Sequence, residues 1–344
     1  MKKNIILTDW SLNEDWKFKD LLNEYTDFKW IALGINICGG QNCHIKKIIN
    51  VYLKYFIFSL NIFLNRKKYK NIIAWQQFLG LIFAFYCKVF KVKIFPKLYI
   101  MTFIYKPKKG LVGKIYFKFI ESTLNSKYIE KVICFSKYEI QYYSNLFNVQ
   151  VEKFDYCIYG IDSEINSFSN KDIVRDTTNN KYFLSVGRSN RDYEFLINSL
   201  ENSKYNIVIL CDELKNLKKN NIEIYNNIFG ENYLSYLKKC TAVVITLKDE
   251  NISSGQLVFL KAMELGKPVI ITKSNTINEY IIDGYNGLII NKDKNSLLEA
   301  MSKLLTNSKY YNEISNNALD YYKERFSFDS FVKSIANIII NTNN

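Results

Sequence analysis

Histidine and proline are nearly absent from this 344-residue chain, which has one of the former and three of the latter. So few prolines, with little clustering of glycine and serine, exclude long disordered tails. A lone histidine, His44, and seven cysteines without a C-x-x-C pair exclude a zinc site of the usual spacing. Those cysteines, Cys38, Cys43, Cys87, Cys134, Cys157, Cys211 and Cys240, read as reduced thiols of a cytosolic protein. No apolar run reaches the roughly 18–20 residues that span a bilayer. The first apolar stretch ends at Asp9, too early for a signal peptide, and predicts a β-strand instead. Acid is missing locally: residues 28–120 hold 17 Lys/Arg and no Asp or Glu.

What is present is a packed globular composition, 48% hydrophobic and 16% aromatic, on a chain long enough for two α/β domains. The net charge of +14 falls wholly within residues 1–160, since residues 161–344 carry 22 charges of each sign. A block so one-signed suits an anionic partner, either nucleic acid or an anionic membrane face, or else a plainly solvated basic surface. Short β-branched runs alternate with helical stretches, the pattern of parallel sheets covered by helices. Strands are expected at 4–8, 30–34, 71–75, 98–104 and 131–135, and again at 182–186, 206–210, 242–246, 268–272 and 287–290. Apolar helices are expected at 45–64 and 78–90, and three more helices close the chain at 296–305, 309–325 and 328–340. Ser136, with Glu139 three residues on, predicts a capping box for a helix after the fifth strand. Polar residues 163–180 read as a linker.

Three segments carry chemistry. Ser254-Gly255-Gln256-Leu257 opens an apolar helix that stops at Gly266, before Pro268 and a buried strand. Such a glycine-led N-terminus offers unpaired N–H groups and a positive dipole end to a diphosphate. Gly187-Arg188-Ser189-Asn190-Arg191-Asp192-Tyr193 puts two arginines after the second series' first strand, and ligands collect at the carboxyl ends of parallel strands. Arginine meets phosphate through a planar fork of donors. Glu279 stands before a tight Asp283-Gly284 and Asn286-Gly287 loop.

In this order and spacing the segments resemble the C-terminal domain of the retaining nucleotide-sugar glycosyltransferases of the GT-B fold, over about 160 residues from Lys181 on. The resemblance implies an α/β protein of two Rossmann-like, doubly wound domains facing a cleft. Residues 1–162 would form an acceptor-side domain with a basic, membrane-facing surface, and 181–327 a nucleotide-sugar-binding domain. Residues 328–344 would form a helix crossing back to the first domain. By the same likeness Arg188 and Arg191 would hold the donor diphosphate, Gly187, Ser254, Gly255, Gln256 and Leu257 would line it, and residues 223–227 would lie near the base. The family commonly has two glutamates where this chain has Ser253 and Lys261, so altered donor contacts are implied, with Lys261 facing either the donor or solvent. Glu279 would contact a ribose or sugar hydroxyl. No cofactor or metal is expected, the nucleotide-sugar being itself the substrate, and the resemblance implies no protein nucleophile, because the leaving diphosphate can take the acceptor's proton.

In the first half Trp75 and Gln76 end an expected strand, where they would serve as a sugar plate and amide, or as core. His44 would line the acceptor side or be incidental. The partners implied are a nucleotide-sugar, a glycan or lipid-linked acceptor and an anionic membrane surface, with no nucleic acid. The expected place is the cytoplasm, peripheral on the inner face of the cell membrane. The basic helix at 51–64, rich in aromatics and flanked by Lys46, Lys47, Lys54, Arg66, Lys67, Lys68 and Lys70, is either interfacial or core. A catalytically silent glycan- or partner-binding protein is the competing reading, and a basic nucleic-acid-binding protein a weaker one.

Overall fold

The computed structural model describes residues 2–11, 16–36, 45–163 and 181–343, with the backbone alone for 45–49. The chain divides into two compact units, Met1–Cys157 with Val332–Asn344, and Ile158–Phe331. His44, Cys38, Cys43 and all but the first residue of the expected linker lie outside the described residues.

Among the described residues the first unit has six strands: β1 (Lys3–Thr8), β2 (Trp30–Gly34), β3 (Tyr69–Gln76), β4 (Lys97–Thr102), β5 (Lys131–Cys134) and β6 (Phe154–Tyr156). All are parallel, in the order β2-β1-β3-β4-β5-β6. A parallel sheet buries both faces, which is why Ile5, Ile6, Leu7, Ile72, Ile73 and Ala74 form unbroken apolar runs without exposure. Helices α1 (Lys17–Thr26), α2 (Ile45–Leu64), α3 (Gln77–Val89), α4 (Gly110–Leu124) and α5 (Lys137–Phe147) make the crossovers. Strand order reverses between β1 and β3, so their carboxyl ends flank a crevice.

The second unit holds β7 (Phe183–Val186), β8 (Ile207–Leu210), β9 (Leu217–Lys219), β10 (Ile222–Tyr225), β11 (Val243–Ile245), β12 (Val269–Thr272) and β13 (Leu288–Ile290). The order is β13-β12-β11-β7-β8-β10-β9, parallel except for edge strand β9. Its helices are α6 (Tyr193–Leu200), α7 (Gly230–Lys239), α8 (Gln256–Glu264), α9 (Lys294–Thr306) and α10 (Ser308–Arg325). Here the order reverses between β7 and β11. The chain closes with α11 (Phe328–Asn343), which from Val332 on is counted in the first unit. There it buries Val332, Ile335, Ala336 and Ile339. Thr342 Oγ1 lies 2.6 Å from the Tyr99 hydroxyl, and the Asn343 amide donates to Asn71 Oδ1 at 3.3 Å.

The sequence pattern did not single out α1, α4, α6, α7, β6 or β9. One glycine opens α4 and a second interrupts it, and the second is obligatory: a Cβ on Gly113 would sit 1.8 Å from the Lys108 carbonyl oxygen. β9 is an exposed edge with two lysines, Lys218 and Lys219, and so lacks the alternating apolar face that marks a strand. Ser136 does cap α5, accepting from the Tyr138 N–H at 3.1 Å, while Glu139 reaches back to the N–H of Phe135 at 3.2 Å. Among the described residues no helix is long and apolar enough to cross a membrane.

Candidate functional site

Two loops meet at the second unit's switch point, residues 187–192 after β7 and residues 246–255 after β11. They are zipped together by backbone: Asp192 N donates to Thr246 O at 2.8 Å and Lys248 N to Asn190 O at 3.2 Å. Asn190, in the left-handed region at φ 58°, adds a two-way amide pair with Asp249, donating at 2.8 Å and accepting at 2.9 Å. Asparagine tolerates that conformation better than most residues.

Arg191 lies buried at the centre of this pair of loops, 6% exposed. Its Nε donates to Val186 O at 3.0 Å, and Nη1 donates to Ser189 O at 2.9 Å and to Ser254 Oγ at 3.1 Å. Burial lowers its pKa from the usual value, but a guanidinium starts high enough to stay charged. The remaining nitrogen, Nη2, points between two glycines, Gly187 at φ 102° and Gly255 at φ 98°. A Cβ on either would come within 3.2 or 3.6 Å of Nη2, so both positions need glycine for conformation, and Gly187 needs it for space as well. Gly255 leads α8 with no side-chain cap, which leaves the first N–H groups, at Gln256 and Leu257, as donors beside the same cation. A buried positive charge, uncapped helix donors and a glycine floor together suit an anion of diphosphate size.

The other two residues of Arg191-Asp192-Tyr193 hold the loop in place. Asp192 caps α6 by accepting from Phe195 N at 3.0 Å and pairs with Lys292 at 2.5 Å. Burial alone would raise its pKa, yet Lys292 and the Phe195 N–H hold it below the usual carboxylate range. Tyr193 donates its hydroxyl to the Gly187 carbonyl. A depression of about 260 Å³ opens alongside, lined by Lys248, Glu250, Lys273 and Lys292 among others, at the carboxyl ends of β11, β12 and β13.

The structure therefore brings together Gly187, Arg191, Ser254, Gly255, Gln256 and Leu257. Arg188 stands exposed on the same loop. Glu279 sits half-buried on the turn between β12 and β13. Lys261 departs from the solvent-facing expectation, because it is 8% exposed and its ammonium meets Glu264 Oε2 at 3.1 Å and the Asp162 carbonyl at 3.2 Å. A lysine so placed does not face solvent. Near the expected base site, Glu223 is engaged by Lys218 at 3.0 Å and Tyr225 at 2.6 Å, and Asn227 N donates to Asp212 at 2.9 Å.

The first unit has its own constellation at the β1/β3 crevice. Trp75 stands within an aromatic cluster, its ring centre 4.7 Å from Phe18, 5.4 Å from Trp16 and 6.1 Å from Trp10. Gln76 caps α3 through its Oε1, at 2.6 Å from Phe78 N, and its amide donates to the Tyr55 hydroxyl at 3.3 Å. Tyr55 in turn donates to Asp9 at 2.9 Å, and burial, then Asp9, raises its pKa. Sequence reasoning named Trp75 and Gln76 but missed Asp9, Trp10 and Tyr55. The signal for Asp9 and Trp10 was their place immediately after the first strand. Asn190 and Tyr193 lay inside the segment 187–193 singled out above, without a role assigned to either.

Residues 168–320 match the family of glycosyl transferases group 1. An uncharacterised glycosyltransferase of Methanocaldococcus jannaschii is 26% identical over 244 residues, 67% of this chain and 64% of the relative, so the match spans less than two thirds of that protein. Among solved structures, HepE of Anabaena in complex with UDP and glucose superposes with a TM-score of 0.69 at 15% identity, covering 98% of this chain and 100% of that one. A glycosyltransferase of Rickettsia africae gives 0.68 at 11% identity, covering 100% and 99%. Residues 168–320 are thus similar to the group 1 glycosyl transferases, and the chain has the fold of the GT-B glycosyltransferases.

Proposed function

We propose that the protein transfers a sugar from a nucleotide-sugar to a glycan or lipid-linked acceptor at an anionic membrane face, in surface-polysaccharide or glycoconjugate assembly. The observation that carries the reading is the Arg191 guanidinium, buried between Gly187 and Gly255 beside the uncapped start of α8. As the bond to the sugar breaks, negative charge grows on the departing diphosphate. A preorganised cation and N–H donors stabilise that charge without moving, which is where most of the rate acceleration of such a site arises. Retention is the stereochemistry we assign, with the leaving phosphate taking the acceptor's proton. No metal is invoked, because Arg188 and Arg191 supply the positive charge. In the first unit, Trp75 and its neighbours offer an apolar plate, and Asp9 with Tyr55 offers polar groups, of the kinds that receive a sugar ring and its hydroxyls.

The test is a thermal-shift screen with UDP-, GDP- and ADP-sugars, followed by assay of nucleoside diphosphate release in the presence of EDTA and by NMR of the product anomer. A binder raises the midpoint by its occupancy. Stabilisation by one donor with EDTA-insensitive release is expected, and an inverted product would overturn retention alone. A second reading, a silent binding module, is favoured by Ser253 and Lys261 in place of glutamates, and donor binding without any release would establish it.

A further inference from the structure

Three of the most exposed large apolar side chains among the described residues lie on α4, where Leu111 is 73%, Val112 67% and Ile115 63% exposed. They follow the loop Lys106-Pro107-Lys108-Lys109-Gly110, and from Lys106 to Val112 every residue is exposed. Apolar side chains left in water at the start of a helix do nothing for its own packing, which α4 achieves through Gly113, Ile120 and Leu124. The patch continues onto α2. Lys108 places its ammonium 4.6 Å from the Tyr116 ring of α4 and 5.7 Å from the Tyr52 ring of α2, and Phe78 packs against both tyrosines. Beyond Tyr52 the outer side of α2 shows Leu53, Phe56, Ile57, Leu60 and Leu64, a stripe at helical spacing opposite buried Tyr55, Ser59 and Ile62. The occupant follows from charge. All of these residues fall inside the stretch without a single acid, and Lys106, Lys109 and Lys114 stand exposed among them. Apolar tips interleaved with long cationic side chains match an anionic bilayer, whose headgroups take the ammoniums while its hydrocarbon takes the tips.

We propose that the first turns of α4, with the lysine loop before them, form a wedge that inserts Leu111, Val112 and Ile115 into an anionic lipid surface, with the α2 stripe lying alongside. This rests on the membrane-face reading above and adds the element that penetrates. The test is co-sedimentation of the full chain with vesicles of phosphatidylcholine, with and without phosphatidylglycerol. A variant combining Leu111→Ser, Val112→Ser and Ile115→Ser is compared, because these exposed positions leave the core intact. The expected result is binding to the anionic vesicles alone, lowered about tenfold or more in the triple variant, with unchanged melting and unchanged nucleoside diphosphate release. Full binding by the triple variant overturns the wedge while the membrane reading stands. Absence of binding by the unaltered chain overturns both. Self-association of the unaltered chain that the triple variant abolishes, without vesicle binding, assigns the patch to a second copy instead and overturns the proposal.

Discussion

Arg188 and Arg191 are three residues apart and have different physical lives. Arg188 is exposed, whereas Arg191 ties Val186, Ser189 and Ser254 together from a buried position. Replacing Arg188 with alanine is expected to weaken donor binding about tenfold or more, the worth of one charge-assisted contact to phosphate, with no change in melting temperature. Arg191→Ala should lose donor binding and also on the order of 3 kcal/mol of stability, because buried acceptors are left without their donor. Arg191→Lys should restore little of either, since an ammonium cannot reproduce the fork. Equilibrium unfolding and donor titration of the three variants check this, and an Arg191→Ala protein as stable as the parent would contradict it. The sequence marked both arginines because guanidinium on a strand-end loop is legible chemistry. Their inequality was not legible, since it depends on Ser254, which is 63 residues away. Asp9 and Lys261 were opaque for the same reason: their partners, Tyr55 and the Asp162 carbonyl, come from distant parts of the chain.

At the scale of elements, α6 depends on Asp192, which caps its first turn and pairs with Lys292. Asp192 has a folded pKa below its unfolded one. A depressed carboxylate contributes stability that is present above the unfolded pKa, about pH 4, and is lost as pH falls through the folded value. Asp192→Asn keeps the cap oxygen and removes the ion pair with a partly exposed lysine, so it should cost under about 1 kcal/mol at pH 7. That cost should vanish in acid. Asp192→Ala loses the cap as well, about 1 kcal/mol more, and this part should persist at low pH. Urea unfolding at pH 7 and pH 3 separates the two contributions. Most strands and helices were readable from their runs of β-branched and apolar residues. The exceptions show what such reading requires, because α4 exposes the apolar residues of its first turns and β9 exposes everything it has.

Over the whole molecule, the sequence disclosed two α/β halves through its alternation and its charge asymmetry, but the two sheet orders emerge only from pairing. The reversal points between β1 and β3 and between β7 and β11 explain why the candidate residues collect where they do. The closing helix is the other whole-chain feature. Ending the chain at Phe331 removes buried Val332, Ile335, Ala336 and Ile339 from the first unit, a loss on the order of 5 kcal/mol, comparable to a domain's entire net stability. Calorimetry of that truncation should show the first unit's transition lost or much lowered, with the second unit's retained. A first unit melting as before would refute the assignment. The same helix also bears on synthesis. Asn343 meets Asn71 across 272 residues and Thr342 meets Tyr99 across 243, so the first unit stays unfinished until the final turn of α11 has been made. Throughout translation the nascent first unit would present an incomplete apolar surface, and chaperones would have most reason to hold it then.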